Sequence, residues 1–401
     1  VHIWGRWYFW DGSIWCVDNL LDHLTRTRAF LRVQADSLGP DDDKAATRLR
    51  QADTVAKVAG LARSNAAQAA SVEQWDADPW LLGTPGGTVD LQTGVLRAAC
   101  HTDYITKQAA VTPAPEGTPA PLWTKFLERI TSGDAVLQAY LQRFFGYTLT
   151  GSICEHAFVF GYGTGANGKS VCVNTVQGIL GAYALSIPSE MLMVGQADRH
   201  PTELARLRGI RLAVGSETEQ GKQWAESKIK RLTGGDKIPA RFMHRDFFEF
   251  EPEFKLLIVG NQRPSLRGVD ESMRRRFHLV PFTVTIPKKE RDRDLPGKLK
   301  EEWPAIFRWI ISGCLDWQRE GLDPPESVRA ATEEYLEAED ALNIWLEDCT
   351  EVDVNGWEPS GNLFAAWKDW AEAAGEYVGS QKRLPGLLRE RGFTPERLGG
   401  S

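Results

Sequence analysis

The feature that most constrains this chain is the run from Ala157 to Leu180. A short apolar segment, Ala157-Phe158-Val159-Phe160, leads into Gly161-Tyr162-Gly163-Thr164-Gly165-Ala166-Asn167-Gly168-Lys169-Ser170 and then into an apolar-periodic stretch. Strand, glycine loop and helix in that order belong to an α/β frame, with the loop slung between the end of a buried strand and the first turn of a helix. Residues Gly163 to Ser170 match G-x-x-x-x-G-K-[ST] at every fixed position. The glycines let backbone N–H groups curl around phosphates, and the helix N-terminus adds positive potential. Lys169 is then expected on the β- and γ-phosphates of ATP and Ser170 on Mg²⁺. The nucleotide-binding set is Gly163, Thr164, Gly165, Ala166, Asn167, Gly168, Lys169, Ser170 and Val171. A flexible loop that binds nothing would have no use for the Lys169-Ser170 pair. A phosphate loop still names no function, because kinases, GTPases and motors all carry one.

Discrimination comes from downstream. Ile210 to Gly215 reads as a second buried strand and ends in Ser216-Glu217-Thr218-Glu219. A carboxylate there would hold the metal or activate the attacking water. Glu217 is the first candidate and Glu219 the second, an exposed acidic turn being the alternative. A third strand, Lys255 to Gly260, runs into Asn261, whose amide could orient the hydrolytic water. Arg274, Arg275 and Arg276 precede the apolar run Phe277 to Phe282. They are either a solvated turn or a source of an arginine for a neighbouring subunit's γ-phosphate. In the second case the site is complete only in an oligomer.

Between the acidic strand and the Asn261 strand lies Lys228 to Pro252, with Lys228, Lys230, Arg231, Lys237, Arg241 and Arg245. Its centre reads as two strands meeting at a polar tip near His244-Arg245-Asp246. Facing a ring's pore, such tips would grip the phosphates of single-stranded DNA without reading sequence, with Lys230, Arg241, His244 and Arg245 as candidates. An ordinary edge hairpin is the alternative.

A chain of 401 residues exceeds one ordinary domain, so a core with flanking modules is expected. Residues 1–150 would form an N-terminal module. In it, Val1 to about Asp18 reads as an aromatic hairpin turning at Asp11-Gly12, with core packing expected over base stacking. Asn19 to about Ala70 reads as helices broken at Gly39-Pro40, and Asp41-Asp42-Asp43 as an acidic helix start rather than a metal site. Trp80 to Thr102 reads as a small β element, Thr112 to Pro121 as a Pro-rich linker, and Trp123 to Gly151 as helical. The ATPase core would occupy 151–290, a helical lid or linker 291–340, and a C-terminal domain 341–401. Hydrophobic residues at 42% and charged residues at 25% are values of a globular chain. A net charge of -7 argues against a surface that coats nucleic acid everywhere, but permits a local basic channel. The six cysteines lack C-x-x-C spacing and read as buried free thiols. No apolar run reaches the roughly 20 residues of a membrane span and the N-terminus lacks a signal pattern, so the expected location is cytoplasmic, in a bacterial host.

Taken together, these motifs resemble superfamily 3 helicases, and more closely the helicase portion of phage and plasmid primase-helicases, a group that includes the poxvirus primase-helicase. The resemblance rests on Gly163 to Ser170, Ser216-Glu217, and the block Leu232-Thr233-Gly234-Gly235-Asp236-Lys237-Ile238-Pro239-Ala240-Arg241. It extends to Phe254 through Asn261, Pro264, Arg275-Arg276-Phe277 and Pro281-Phe282. Trp7 to Gly12 and Pro85 to Leu91 resemble that family's collar. Leu363, Trp367, Trp370, Leu384, Leu387, Leu388, Gly392 and Phe393 resemble its winged-helix-like tail. The resemblance implies an α/β, AAA+-like ATPase with a parallel sheet, a helical collar with a small β element, and a winged-helix-like end. It implies Lys169 and Ser170 for nucleotide and Mg²⁺, Glu217 as the Walker B acid, Asn261 as sensor, Arg276 as the trans finger and His244 or Arg245 in the pore. Homo-hexamers moving 3′ to 5′ on single-stranded or forked DNA are implied too, served by a primase domain or a separate primase or polymerase. Thr218 separates Glu217 from Glu219 where relatives often have adjacent acids, and Arg275 adjoins Arg276, so the division of labour within each pair stays open. The rival readings are a small-molecule kinase and an origin-loading factor that uses nucleotide only to assemble.

Overall fold

Apolar runs without polar alternation suit strands covered on both faces, and the chain gathers four such runs and one edge strand into one parallel sheet. The computed structural model describes all residues except 4, 66–69, 195–200, 217–222, 243–245, 267–269, 352, 354–355, 377, 383, 391–392 and 394–401. Helix α1 (Ala135–Tyr147), whose first turn is capped by the Asp134 carboxylate, leads to strand β1 (Phe158–Tyr162). Helix α2 (Lys169–Leu180) and strands β2 (Ala184–Pro188), β3 (Leu212–Ser216), β4 (Lys255–Gly260) and β5 (Phe277–Pro281) follow. Their order across the sheet is β5-β1-β4-β3-β2, with every neighbouring pair parallel. All of β4 is buried. Alternate residues divide between two clusters: Phe158, Phe160, Leu256, Ile258 and Phe277 on one face, and Val159, Leu257, Val259 and Val280 on the other. From β1 the chain crosses to the far edge at β2, and after β4 it passes β1 to reach β5. The carboxyl ends of β1 and β4 therefore flank the crevice where strand order reverses, the place at which such sheets bind ligands.

Strands β1, β3, β4 and β5 stand where the apolar runs predict them. Strand β2 was not predicted. It is an edge strand with only Ile187 buried and a proline at its end, so it carries no continuous apolar signal. The core does not stop at 150/151 or 290/291. One cluster joins Leu82, Val89, Trp123 and Phe144 to Val159 and Val259 of the sheet, and to Ile306, Phe307 and Ile310 of helix α3 (Trp303–Glu320). Residues 303–320 are thus core. Helix α4 (Glu326–Ala338) lies against β5, where the Thr332 hydroxyl accepts from the Leu279 N–H at 2.9 Å.

The small β element is a three-stranded antiparallel sheet, Leu81–Thr84, Gly87–Asp90 and Val95–Arg97. It is fixed to the body of the parallel sheet by buried Arg211, which donates to the Leu149 and Leu81 carbonyls at 2.5 and 2.7 Å, with its guanidinium 4.7 Å over the Tyr183 ring. Tyr183 in turn accepts from the Gly83 N–H at 2.9 Å and donates to the Lys107 carbonyl at 3.0 Å. The Pro-rich stretch is without regular structure, as predicted, but it is not a loose tether. Ala114 N–H donates to the Pro304 carbonyl at 2.9 Å, and Arg308 Nε donates to the Ala114 carbonyl at 2.7 Å. The aromatic hairpin is present, Arg6–Trp10 pairing with Trp15–Val17, and the Asp11 carboxylate accepts from Ser13 and Ile14 N–H in the turn. Its residues are half-buried rather than core, whereas their neighbour Trp75 is buried. The first helices run Asp22–Asp36, Asp43–Leu49 and Ala52–Ala62. Beyond 340 the described residues form the helices Ala341–Cys349, Ser360–Ala374 and Leu384–Glu390, with Trp345, Trp367 and Leu384 in a core of their own. No strand occurs among the described residues there, so the wing of the expected winged helix is not found. Of the free cysteines, Cys172 and Cys314 are buried but Cys154 and Cys349 are exposed, which corrects the expectation of uniformly buried thiols. Among the described residues no helix is long and apolar enough to cross a membrane.

Candidate functional site

Strand β1 ends at Tyr162, whose carbonyl accepts from the Phe282 N–H at 2.7 Å. Gly163 follows in a position without room for a side chain, since a Cβ there would lie 2.3 Å from both the Phe282 carbonyl oxygen and Asn167 Nδ2. Buried Asn167 donates to that same Phe282 carbonyl at 3.2 Å, and the Ile286 N–H donates to the Ala166 carbonyl at 2.7 Å. The chain after β5 therefore straps the loop to the sheet. Gly165, Ala166 and Gly168 all adopt positive φ, which turns the loop on itself. Helix α2 then starts at Lys169 with no side-chain cap. The Lys169 N–H donates to Asn167 Oδ1 at 3.4 Å, and the N–H groups that follow it, with the positive end of the helix dipole, suit an anion.

Lys169 is only 5% exposed. Its Nζ donates to the Gly163 carbonyl at 2.5 Å and to Asn261 Oδ1 at 3.1 Å, joining the carboxyl ends of β1 and β4 across the crevice. Two residues picked from separate motifs thus meet. Burial lowers the Lys169 ammonium to about 8. A polyphosphate needs that group charged, and an occupied site would raise its pKa. Nucleotide affinity should therefore be full below pH 8 and fall as pH rises through it, by up to about tenfold per unit. The empty fold has the opposite sign, gaining stability over the same interval. Lys169→Arg, charged throughout, should give a flat profile in fluorescent-nucleotide titrations between pH 7 and 9.5. A sloping profile in that variant would detach the effect from Lys169.

Thr164 and Ser170 are exposed at the loop, and Val171 is half-buried. These side chains and the uncapped helix fit a nucleotide with Mg²⁺, Ser170 supplying a hydroxyl to the metal. Glu217 and Glu219 lie outside the described residues. Strand β3 ends at Ser216, in register with Val259. One cation at this end escaped the motif reading. Arg263, two residues past Asn261, lays its guanidinium 4.3 Å over the Tyr162 ring and 3.8 Å from the Glu334 carboxylate. Only its spacing from Asn261 could have flagged it.

Arg275 and Arg276 sit at the other end of the sheet. The Arg276 carbonyl accepts from the N–H of Phe158, the first residue of β1, at 2.7 Å. A strand of five residues, roughly 15 Å, separates them from the loop. Both therefore lie away from the crevice at the carboxyl ends of β1 and β4. Arg276 folds back on Ser272, donating to its carbonyl at 2.9 Å and its hydroxyl at 2.6 Å. The Arg275 side chain is 70% exposed, with Glu271 at 3.9 Å. Arg274 is held by Glu333, with Asp340 at 3.9 Å.

The basic hairpin is formed by Ile238–Arg241 and Phe247–Phe250, antiparallel, with Arg241 opposite Phe247. His244 and Arg245 lie outside the described residues. Lys230 is ion-paired with Asp270, so its charge is matched within the fold. The Arg241 guanidinium lies 4.7 Å over the Phe247 ring.

Comparison with known proteins agrees with this layout. The D5 N terminal like family matches residues 1–132, and a family of unknown function (DUF5906) matches residues 161–276. "Putative helicase 022R" of Frog virus 3 (isolate Goorha) is 26% identical over 253 residues, covering 56% of this chain and 25% of the viral protein. "Putative helicase L207/L206" of Acanthamoeba polyphaga mimivirus is 24% identical over 295 residues, covering 68% of this chain and 31% of the viral protein. The chain thus spans less than a third of these relatives' length. Among solved structures, the apo C terminal region of NrS-1 is similar with a TM-score of 0.47 at 12% identity, over 70% of this chain and 68% of that one. A D5 N terminal like segment ahead of the glycine loop, together with similarity over more than half of the chain to viral proteins named putative helicases, supports kinship of this helicase-like chain with the phage and viral primase-helicases.

Proposed function

We propose that this chain is an ATP-driven, ring-forming replicative DNA helicase of the AAA+-like superfamily 3 kind, moving along one strand of forked DNA in phage, plasmid or mobile-element replication. One observation carries the reading. The Lys169–Asn261 contact marks a phosphate crevice at one end of the sheet, while an exposed arginine, Arg275, stands at the other. In a head-to-tail ring each crevice would be completed by the next subunit's arginine. Lys169 would hold the β- and γ-phosphates, Ser170 and Glu217 the Mg²⁺, and Asn261 and Glu219 the attacking water. The hairpin would carry the strand through the pore, with Arg241, His244 and Arg245 toward DNA. A hexamer and a partner primase or polymerase belong to the same proposal.

The test measures ATP hydrolysis with and without oligo-dT, alongside unwinding of a forked duplex. Hydrolysis should rise at least about fivefold with oligo-dT, and unwinding should vanish in Lys169→Ala. Hydrolysis indifferent to DNA would favour a kinase and end the motor reading. Unwinding that survives Lys169→Ala would favour a factor that uses nucleotide for assembly alone.

A further inference from the structure

The phosphate loop is bent in a way that its own residues resist. Gly165, Ala166 and Gly168 have φ of 99°, 52° and 85°, and at Ala166, which carries a Cβ, that region is disfavoured. Such a backbone persists only where its surroundings hold it. Asn167 stands in the middle of the bend and is 3% exposed. The motif groups it with residues expected on the nucleotide, yet both ends of its amide are engaged within the protein. Nδ2 donates to the Phe282 carbonyl at 3.2 Å, and Oδ1 accepts from the Lys169 N–H at 3.4 Å.

These two partners are of opposite kind, a carbonyl that needs a donor and an N–H that needs an acceptor. A side-chain amide offers both from one short stem. An aspartate would set an oxygen against the Phe282 carbonyl, and a leucine of similar size would leave both partners unpaired. Phe282 directly follows β5, so the contact gives the bend a fixed point on the sheet. We infer that Asn167 is a positioning residue, which holds the empty loop in its phosphate-binding shape and does not itself touch phosphate. This inference rests on the reading of the loop as a nucleotide site and adds how the site is kept ready.

The experiment measures binding of a fluorescent ADP analogue to the full chain by stopped flow, together with kcat and KM for ATP hydrolysis. A loop that is not held is competent for only part of the time, and affinity falls by that fraction. Asn167→Leu should therefore bind about tenfold more weakly, the size of one or two lost hydrogen bonds, with the loss in kon and koff within about twofold of wild type. KM should rise alike, and kcat should stay within about threefold. Asn167→Asp keeps the volume and the Lys169 contact, and should show the same loss in kon at high salt, where its added charge is screened. A faster koff with kon unchanged, or a kcat lowered a hundredfold at unchanged KM, would make Asn167 a phosphate contact and overturn the inference. So would wild-type affinity in Asn167→Leu, or failure of both variants to fold. A wild type that binds no ADP would remove the nucleotide reading and this inference together. The tenfold loss in kon beside hydrolysis indifferent to DNA would end the motor reading and leave the role of Asn167 standing.

Discussion

Two inactive variants of this chain, Lys169→Ala and Arg275→Ala/Arg276→Ala, should regain ATP hydrolysis when mixed. Each alone should fall by about a thousandfold or more, the first by losing the phosphate contact and the second by losing charge stabilisation in the transition state. The expectation follows from where the residues lie. The arginines adjoin the amino end of β1 and the loop leaves its carboxyl end, so no subunit can serve itself. In a ring assembled at random from equal amounts, roughly a quarter of interfaces pair an intact loop with intact arginines, and activity should recover toward that fraction. Separate Arg275→Ala and Arg276→Ala variants divide the pair. The exposed Arg275 should account for most of the loss, because Arg276 already spends its donors on Ser272. Absence of recovery at every mixing ratio, with both variants still assembling, would refute a shared site.

Helix α4 gives this arrangement a means of holding its shape. Tyr335 donates to the Pro264 carbonyl, the Glu339 carboxylate accepts from the Leu266 N–H at 3.0 Å, and Glu333 pairs with Arg274. Among the described residues, Pro264, Leu266 and Arg274, which lie between the crevice and Arg275, are thus tied to this helix and to its C-cap residue Glu339.

What the sequence disclosed depended on whether a residue's neighbours are close in the chain. Gly163 to Ser170 declares itself because phosphate binding is done by consecutive backbone groups, and β4 does so because both its faces are buried. Strand β2 stayed hidden because an edge strand needs few apolar residues. Arg211 was read only as part of the buried strand run Ile210 to Gly215, and Arg308 carried no signal of its own. Their partners, the carbonyls of Leu81, Leu149 and Ala114, are 62 to 194 positions away. The same distance effect made the Pro-rich stretch read as a tether. Lys230 was grouped with the hairpin cations by proximity in sequence, although it is paired with Asp270, 40 residues on.

Gly146→Ala and Gly60→Ala, the same change in two helices, should move stability in opposite directions. Helices α1 and α3 cross with backbone against backbone. A Cβ on Gly146 would lie 2.1 Å from the Cys314 nitrogen, and one on Gly313 would lie 2.1 Å from the Gln142 carbonyl oxygen. No rotamer can relieve such a contact, so the helices must separate and loosen the packing of Phe144 and Phe145 against Ile310 and Ile311. Overpacking of this kind costs about 1–3 kcal/mol, more than the roughly 1 kcal/mol that alanine gains over glycine in a helix. Gly146→Val adds bulk at the same point without that helical gain and should lose upwards of about 3 kcal/mol, lowering the melting temperature by roughly 3–5 °C. At Gly60, within Ala52–Ala62, nothing lies within 4 Å of the added methyl, and only the helical gain of about 0.5–1 kcal/mol remains. Thermal unfolding of the three variants decides the matter: Gly146→Ala melting at or above wild type would mean that α1 and α3 are not in backbone contact, and that the core they share with the sheet is built some other way.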